Sequence, residues 1–556
     1  MNIKSIQKEL KSSGFTGRLF TMGNLFINED ILPEENRIFE LTKFSGSYGI
    51  LFITTNKAYL FVDGRYELQA KKEINQRLIE IVKLSEITFS AWLKKNLGKS
   101  SVKISYNPWV ISAKTLNDLQ DTLPKAKFIP LDNADKLLSH NKTKTFPHQK
   151  KFTGLTTKEK ISQLVKYINH LSLDAYLITD ASNTSWLLNM RSNALPCSPI
   201  FRAYTLVEKN GSYKVFAEHT DYPKALPFDE LKQHLSLYKN IGADFNSMPA
   251  KIIELSPNIQ NITDKTTEIK SIKSKTELKG ICNAHIRDGV ALCKFLFWLS
   301  KNYKGKTETE IAEKLLSYRK KELNFYSQSF ETIAGFGANG AIVHYHAQEK
   351  TSATLSKNSI LLLDSGGQYY DGTTDVTRTI ALGTPTRDMI EKNTLVLKSH
   401  IALATAVFPK NTSGKALDLI ARQPLLKNNL NYEHGTGHGV GFFSNVHEGP
   451  ARISPLCCVP LQPSQITSIE PGYYKENAYG IRIENLYYIK QAKDSKYLNF
   501  EVLTLAPIDL KLIDKYLLST EEISWLNNYH KKVFQNLKKY LTKQELEWLK
   551  QACTAL

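Results

Sequence analysis

Apolar and polar positions along this chain follow a pattern that changes character twice. Through residues 1–145, short apolar runs alternate with amphipathic stretches. Residues 48–54 and Ala58–Val62 read as two strands on either side of a polar turn at 55–57. Asp63-Gly64-Arg65-Tyr66 and a charged helix from Glu67 follow, with Asp63 and Arg65 read as a turn holding a local ion pair. The polar stretch from Asn141 to Phe146-Pro147 breaks the periodicity and marks a boundary. A second unit of the same kind spans 146–271, with helical spacing over 158–171, a strand over 175–179 and a helix or turn over 183–190. Such alternation predicts α/β layers in both units.

The period then lengthens. A helical stretch runs from about Lys273 to Leu299 and another covers 308–321. From Thr332 to Ile489 glycine-punctuated strands dominate, interrupted by a helical pair over about 387–406 and 414–423, which predicts an α+β domain over 272–556. The terminal segment 519–552 is helical. Ser519 with Glu522, and Thr542 with Glu545, have the spacing in which a hydroxyl and a glutamate cap a helix start reciprocally.

Composition narrows the class. Of 556 residues, 42% are apolar and 10% aromatic, enough for a core in each unit and against wholesale disorder. No run approaches the roughly 18 apolar residues of a membrane span, and the N-terminal MNIKSIQKELKSSGF lacks the apolar centre of a secretory signal. The six cysteines contain no C-x-x-C pair, so a reducing, cytoplasmic setting is expected. The formal charge of +19 raises the question of nucleic acid. Only 13 of the 73 basic residues are arginine, however, and they are interspersed with acids. The densest basic stretch, with Lys142, Lys144, Lys150 and Lys151, reads as a linker. No nucleic-acid or membrane partner is therefore expected.

Ligand-type residues gather in five islands: 338–346 (ANGAIVHYH), 361–379 (LLLDSGGQYYDGTTDVTRT), 434–441 (HGTGHGVG), 446–450 (VHEGP) and 469–485 (IEPGYYKENAYGIRIEN). In the second, an apolar strand ends at Asp364, Ser365-Gly366-Gly367 turns the chain, and a second strand carries Asp375. A carboxylate at the end of three leucines is costly unless paired or bound to a cation. The fifth island repeats the device: Glu470 ends a strand over 466–469, Pro471-Gly472 turns, and a strand over 480–488 returns with Glu484. Arg482, two positions away, shares the face of Glu484 and can bond a metal-bound carboxylate. Four crowded carboxylates repel one another. Two dications, with one imidazole completing the set, relieve that repulsion. Oxygen-rich ligands with a single nitrogen favour Mn²⁺, with Co²⁺ or Zn²⁺ as alternatives. Two such ions roughly 3.5–4 Å apart would activate a bridging water and polarise a carbonyl, which predicts hydrolysis.

In this order the islands resemble those of the pita-bread metallopeptidases, and in particular the three-domain Xaa-Pro aminopeptidases (the aminopeptidase P family), over essentially the whole chain. The most specific segments are Asp364-Ser365-Gly366-Gly367-Gln368-Tyr369, Asp371-Gly372-Thr373-Thr374-Asp375-Val376-Thr377-Arg378-Thr379, Glu470-Pro471-Gly472-Tyr473-Tyr474 and Gly480-Ile481-Arg482-Ile483-Glu484-Asn485. Asp63-Gly64-Arg65-Tyr66 and 186–191 (WLLNMR) match weaker patterns of the first and second domains. The resemblance implies two N-terminal α/β creatinase-like domains, over 1–145 and 146–271, followed by a C-terminal pita-bread catalytic domain over 272–556. It places the metal ligands on Asp364, Asp375, His438, Glu470 and Glu484, with Asp375 and Glu484 bridging two ions, usually manganese. It implies that His344 and His447 contact substrate and stabilise the tetrahedral intermediate, that His434 belongs to the substrate site along with Arg482, and that Glu470 transfers a proton. The implied activity is release of an N-terminal residue joined to proline in oligopeptides, by attack of a hydroxide bridging the two ions. A prolidase acting on Xaa-Pro dipeptides is the alternative. The resemblance also implies a cytoplasmic homodimer.

Overall fold

The structure is a computed structural model, and it describes residues 2–131 and 142–556; Asn141, where the sequence marks its first boundary, lies outside them. The chain forms two compact units. The first comprises Met1–His148, Leu155–Leu195 and Ile200–Thr266.

This first unit holds two six-stranded mixed sheets. In one, Ile50–Thr54 and Ala58–Val62 form the expected hairpin, and the strands Gly17–Thr21 and Lys103–Tyr106 pair in parallel. Helices such as Phe89–Leu97 and Ala113–Thr122 cover its apolar faces, because β-branched and aromatic residues alternate in the strands while the helices present Leu93, Leu116 and Leu119. In the other, Ala175–Ile178 pairs antiparallel with Tyr204–Glu208 and in parallel with Ile241–Ala243. Helix Thr157–His170 starts at a Thr156–Glu159 capping box; the helix or turn expected over 183–190 is the helix Ala181–Leu188, closed by Asn189 before the strand Met190–Ser192. The sheets are tied together by backbone bonds from Ala113 to Met248 (2.8 Å) and from Lys114 to Phe245 (3.0 Å), and by a part-buried Arg202–Glu35 ion pair at 2.6 Å. The Asp63–Arg65 pair expected from the sequence closes at 2.8 Å.

The second unit comprises Thr267–Leu556 with the short segments Gln149–Gly154 and Pro196–Pro199. Helix Lys275–Asn302 opens at a capping box from Ser274 to Glu277, and Glu308–Arg319 follows it. The strand Ser359–Ser365 runs antiparallel to Val376–Leu382 on one side and to Ile333–Phe336 on the other. A curved six-stranded sheet contains Gly437–Gly439, Glu448–Ile453, Ile466–Ile469 and Asn485–Gln491. Helix Arg387–Ala404 and the C-terminal helices Thr520–Leu537 and Lys543–Ala552 bury Val396, Leu526 and Val533 against Ile481 and Ile483, so the core lies directly behind the strands that carry the carboxylates. Among the described residues no helix is long and apolar enough to cross a membrane. Among the described residues the cysteines form no disulfide.

Three local expectations are corrected. Asp375 does not lie on the returning strand, which begins at Val376; a small hairpin of Gly367–Tyr369 and Gly372–Thr373 is inserted before it. The strand expected over 480–488 is broken into Tyr479–Arg482 and Asn485–Gln491, because the chain leaves one sheet for another at Ile483–Glu484 and the Glu484 amide bonds Thr377 instead (3.2 Å). Helix Gly414–Leu426 continues through Pro424, where the sequence suggested an end at 423. A proline in the last turn removes a single backbone bond there, so the helix survives it.

Candidate active site

Antiparallel pairing places Asp364 directly opposite Thr377. The Thr377 hydroxyl donates to Glu484 Oε2 at 2.8 Å, which brings a carboxylate from the fifth island onto the strand pair of the second. Arg482, 1% exposed, donates from Nη2 to Asp364 Oδ2 at 2.6 Å and from Nε to the Thr377 hydroxyl at 3.2 Å. The expected contact between Arg482 and a carboxylate of the cluster is therefore made to Asp364, and Thr377 carries it on to Glu484.

His438 approaches from the glycine-rich strand Gly437–Gly439. Its Nδ1 lies 3.0 Å from the Gly439 carbonyl oxygen, which requires the proton there and leaves the Nε2 lone pair pointing into the cluster. That Nε2 is 3.5 Å from Asp375 Oδ2 and 3.5 Å from Glu470 Oε1. One ligand atom each of Asp375, His438 and Glu484 all lie within 4.8 Å of one another. Gly437 permits this close approach: a Cβ there would sit 2.0 Å from the Ser468 carbonyl oxygen.

Electrostatics set the character of the site. Burial pushes the Asp364 carboxyl up to about 7; Arg482 opposes the rise, and Asp375 and Glu470 add to it. Burial raises Glu470 against the pull of His438 and Arg482. Burial, followed by repulsion from Asp375, Asp364 and Glu470, holds Glu484 well above the ordinary carboxylate range. Asp364 Oδ1 and Asp375 Oδ1 are buried without a hydrogen-bond donor. Four carboxylates and an imidazole lone pair thus crowd together with a single guanidinium bonded to Asp364, an arrangement that is repulsive on its own. Hard divalent cations fit it by donor chemistry, charge and orphaned oxygens alike.

Four further histidines stand in the islands. The His447 and His438 rings lie 4.4 Å apart, edge to face. His344 sits in a turn, half-buried, between Val343 and Tyr345. His346 beside it is exposed and lies 3.5 Å from Glu331, which fits the rim position expected of it. His434 is buried between Tyr432 and Tyr474. Its Nδ1 proton goes to the Gly435 carbonyl (2.8 Å), so Nε2 accepts from the Tyr474 hydroxyl (2.8 Å), which in turn accepts from Arg482 Nη1 (2.8 Å). Sequence reasoning assigned no role to Tyr474 or Thr377. Both lie inside the most specific segments, and their neighbourhood of ligand residues was the available signal.

Comparison with known proteins identifies the family. Residues 279–491 match the metallopeptidase family M24, 496–556 its C-terminal region, and both 3–137 and 138–279 match creatinase/prolidase N-terminal domains. A probable Xaa-Pro aminopeptidase P of Sordaria macrospora is 36% identical over 92% of this chain and 91% of its own length. The Xaa-Pro aminopeptidase 1 of Dictyostelium discoideum is 33% identical over 99% of this chain and 95% of its own. The chain belongs to the Xaa-Pro aminopeptidase P family of M24 metallopeptidases. Its architecture is accordingly two creatinase-type domains followed by a pita-bread domain, and it is an enzyme. The X-prolyl aminopeptidase of Caenorhabditis elegans, described as a cytosolic enzyme with a di-nuclear active site, superposes with a TM-score of 0.92 at 32% identity, covering 100% of this chain and 98% of that one. The prolidase of Pyrococcus horikoshii superposes at 0.51 with 25% identity, covering 63% of this chain and 99% of its own.

Proposed function

We propose that this family member is an aminopeptidase that releases the N-terminal residue from peptides with proline in the second position. The observation that carries this reading is the end-to-end match to an X-prolyl aminopeptidase, together with a cluster of four carboxylates and one imidazole. The shorter prolidase leaves over a third of this chain unmatched, which favours the aminopeptidase over a dipeptidase.

In this reading Asp364, Asp375, His438, Glu470 and Glu484 hold two divalent ions, manganese by preference, with Asp375 and Glu484 shared between them. When bound, the ions lower the pKa of water and polarise the scissile carbonyl. Glu470, beside His438, takes the proton of the attacking water and passes it to the proline nitrogen. His344 and His447 donate to the oxygen of the scissile carbonyl as it gains charge. Arg482 keeps Asp364 oriented and ionised through its 2.6 Å bond. His434, with both ring nitrogens engaged, bounds the substrate site through its ring and through Tyr474. Proline lacks an amide N–H and fixes φ, so a dedicated apolar pocket would supply the specificity. Domains over 1–145, 146–271 and 272–556, a homodimeric assembly and a cytoplasmic location complete the reading; the family matches support the order of the domains and the cytosolic C. elegans relative supports the location.

Metal analysis beside a peptidase assay tests it. Chelator-stripped protein should be inactive and regain full activity at two equivalents of Mn²⁺ per chain. Full activity at one equivalent would remove the shared-ligand assignment of Asp375 and Glu484.

A further inference from the structure

Glu308 is completely buried, and every hydrogen-bond donor that it accepts from is neutral. Its Oε1 accepts from the Phe336 amide at 2.7 Å, and its Oε2 from the Ala353 amide at 2.8 Å and the Tyr345 hydroxyl at 2.8 Å. The Asn339 side-chain amide reaches both oxygens at 3.1 Å. A buried carboxylate is tolerated when charge-assisted bonds surround it, and here it receives four donors from one stretch of chain.

The identity of that stretch gives the arrangement its meaning. Residues 336 and 353 bound the segment that carries His344, and Tyr345 is the next residue along. On the other side of His344, the Val343 carbonyl accepts from both Nη atoms of Arg482 at 3.4 Å, and Arg482 is the partner of Asp364. His344 is thus suspended between two fixed points, one in the carboxylate cluster and one at Glu308. Glu308 is not needed for its own helix: Thr307 and Glu310 already form the capping box of Glu308–Arg319, with the Thr307 amide 2.9 Å from Glu310 Oε2. Burial, with the Glu308 carboxylate beside it, pushes the Tyr345 phenol up, which keeps it a donor throughout the working pH range.

We propose that Glu308 is a positioning residue for peptide hydrolysis, clamping the segment 336–353 so that His344 stands at the height where it meets the scissile carbonyl. The inference rests on the aminopeptidase reading and on the role that it gives His344. The test is a double-mutant cycle on the full-length Mn²⁺-loaded enzyme with Arg-Pro-Pro, using Glu308→Gln and Tyr345→Phe, each with and without His344→Ala. A displacement of order 1 Å costs about tenfold to a hundredfold in turnover, so Glu308→Gln should lower kcat by that factor while KM and bound metal stay unchanged. Tyr345→Phe, which leaves the carboxylate and its other donors in place, should lower kcat less. Neither substitution should lower kcat further once His344 is alanine, because residues acting through one another are not additive.

An equal fold-loss in the His344→Ala background, or a loss that follows metal content, would overturn the inference while leaving the aminopeptidase reading intact. If His344→Ala alone leaves kcat unchanged, the role of His344 falls and the inference falls with it. Should Glu308→Gln fail to fold, Tyr345→Phe carries the cycle alone.

Discussion

Replacing Glu484 by glutamine should stabilise the metal-free protein and destabilise it, relative to wild type, once metal is added. In the wild type a Glu484 oxygen lies within 4.8 Å of an Asp375 oxygen. Two unit charges at that distance repel by about 3.5 kcal/mol at an effective dielectric of about 20. Glutamine removes the repulsion and still accepts from the Thr377 hydroxyl, although losing the charge from that bond costs about 1 kcal/mol. The net gain of roughly 2–3 kcal/mol corresponds to a rise in Tm of about 2–5 °C for a unit of this size. The sign with pH follows from the direction of the shift. A carboxyl held above its ordinary value binds more protons folded than unfolded, so the stability of the metal-free wild type falls as pH rises. For Asp364, held at about 7, that fall lies between about pH 4 and 7. The advantage of the variant should therefore grow as pH rises. Thermal unfolding of chelator-treated wild type and variant across this range, repeated with Mn²⁺, is the assay. Added Mn²⁺ should raise the wild-type Tm well past that of the variant, which loses activity altogether. A metal-free variant that melts below wild type at pH 8, or one that retains turnover, would refute the reasoning.

Other consequences are equally specific. His447→Ala should reduce kcat by about a hundredfold or more with both metal equivalents retained, as loss of one oxyanion donor does; metal analysis of the same sample would expose a mistaken ligand assignment. Lys273→Met leaves the buried Glu448 carboxylate with Lys270 alone, at 3.4 Å, and should cost about 3 kcal/mol in denaturant unfolding. Because Glu448 follows His447, the same variant should also lose turnover. Gly480→Ala would place a Cβ 1.7 Å from the Gly340 carbonyl oxygen, a backbone clash worth about 3 kcal/mol or more. A change in stability below about 0.5 kcal/mol would show that the two segments part easily.

Much of this was legible in the sequence because it depends on local rules. The capping boxes at Ser519–Glu522 and Thr542–Glu545 begin helices at the expected residues, since a hydroxyl and a glutamate three positions apart satisfy each other's backbone amides. The pairing of 359–365 with 376–382 followed from apolar runs around a glycine turn. What the sequence hid depends on contacts between distant segments. Nothing local predicts that Glu484 sits in a break between two strands, because the break is made by a backbone bond to Thr377. Periodicity misjudged the end of helix Gly414–Leu426, because a proline near a helix end removes little. Glu308 read as one more charged residue at a helix start, and only folding shows that its carboxylate faces the segment carrying His344. The pairs that hold the site, Arg482–Asp364 and Lys273–Glu448, span more than a hundred residues each and left no pattern for periodicity to detect.

The most direct test of the central claim is hydrolysis of Arg-Pro-Pro and of the dipeptide Arg-Pro by the same metal-stripped protein, before and after two equivalents of Mn²⁺. The account predicts release of free arginine from the tripeptide only, and only with metal present. Faster cleavage of the dipeptide, or cleavage of the tripeptide that survives removal of the metal, would contradict it.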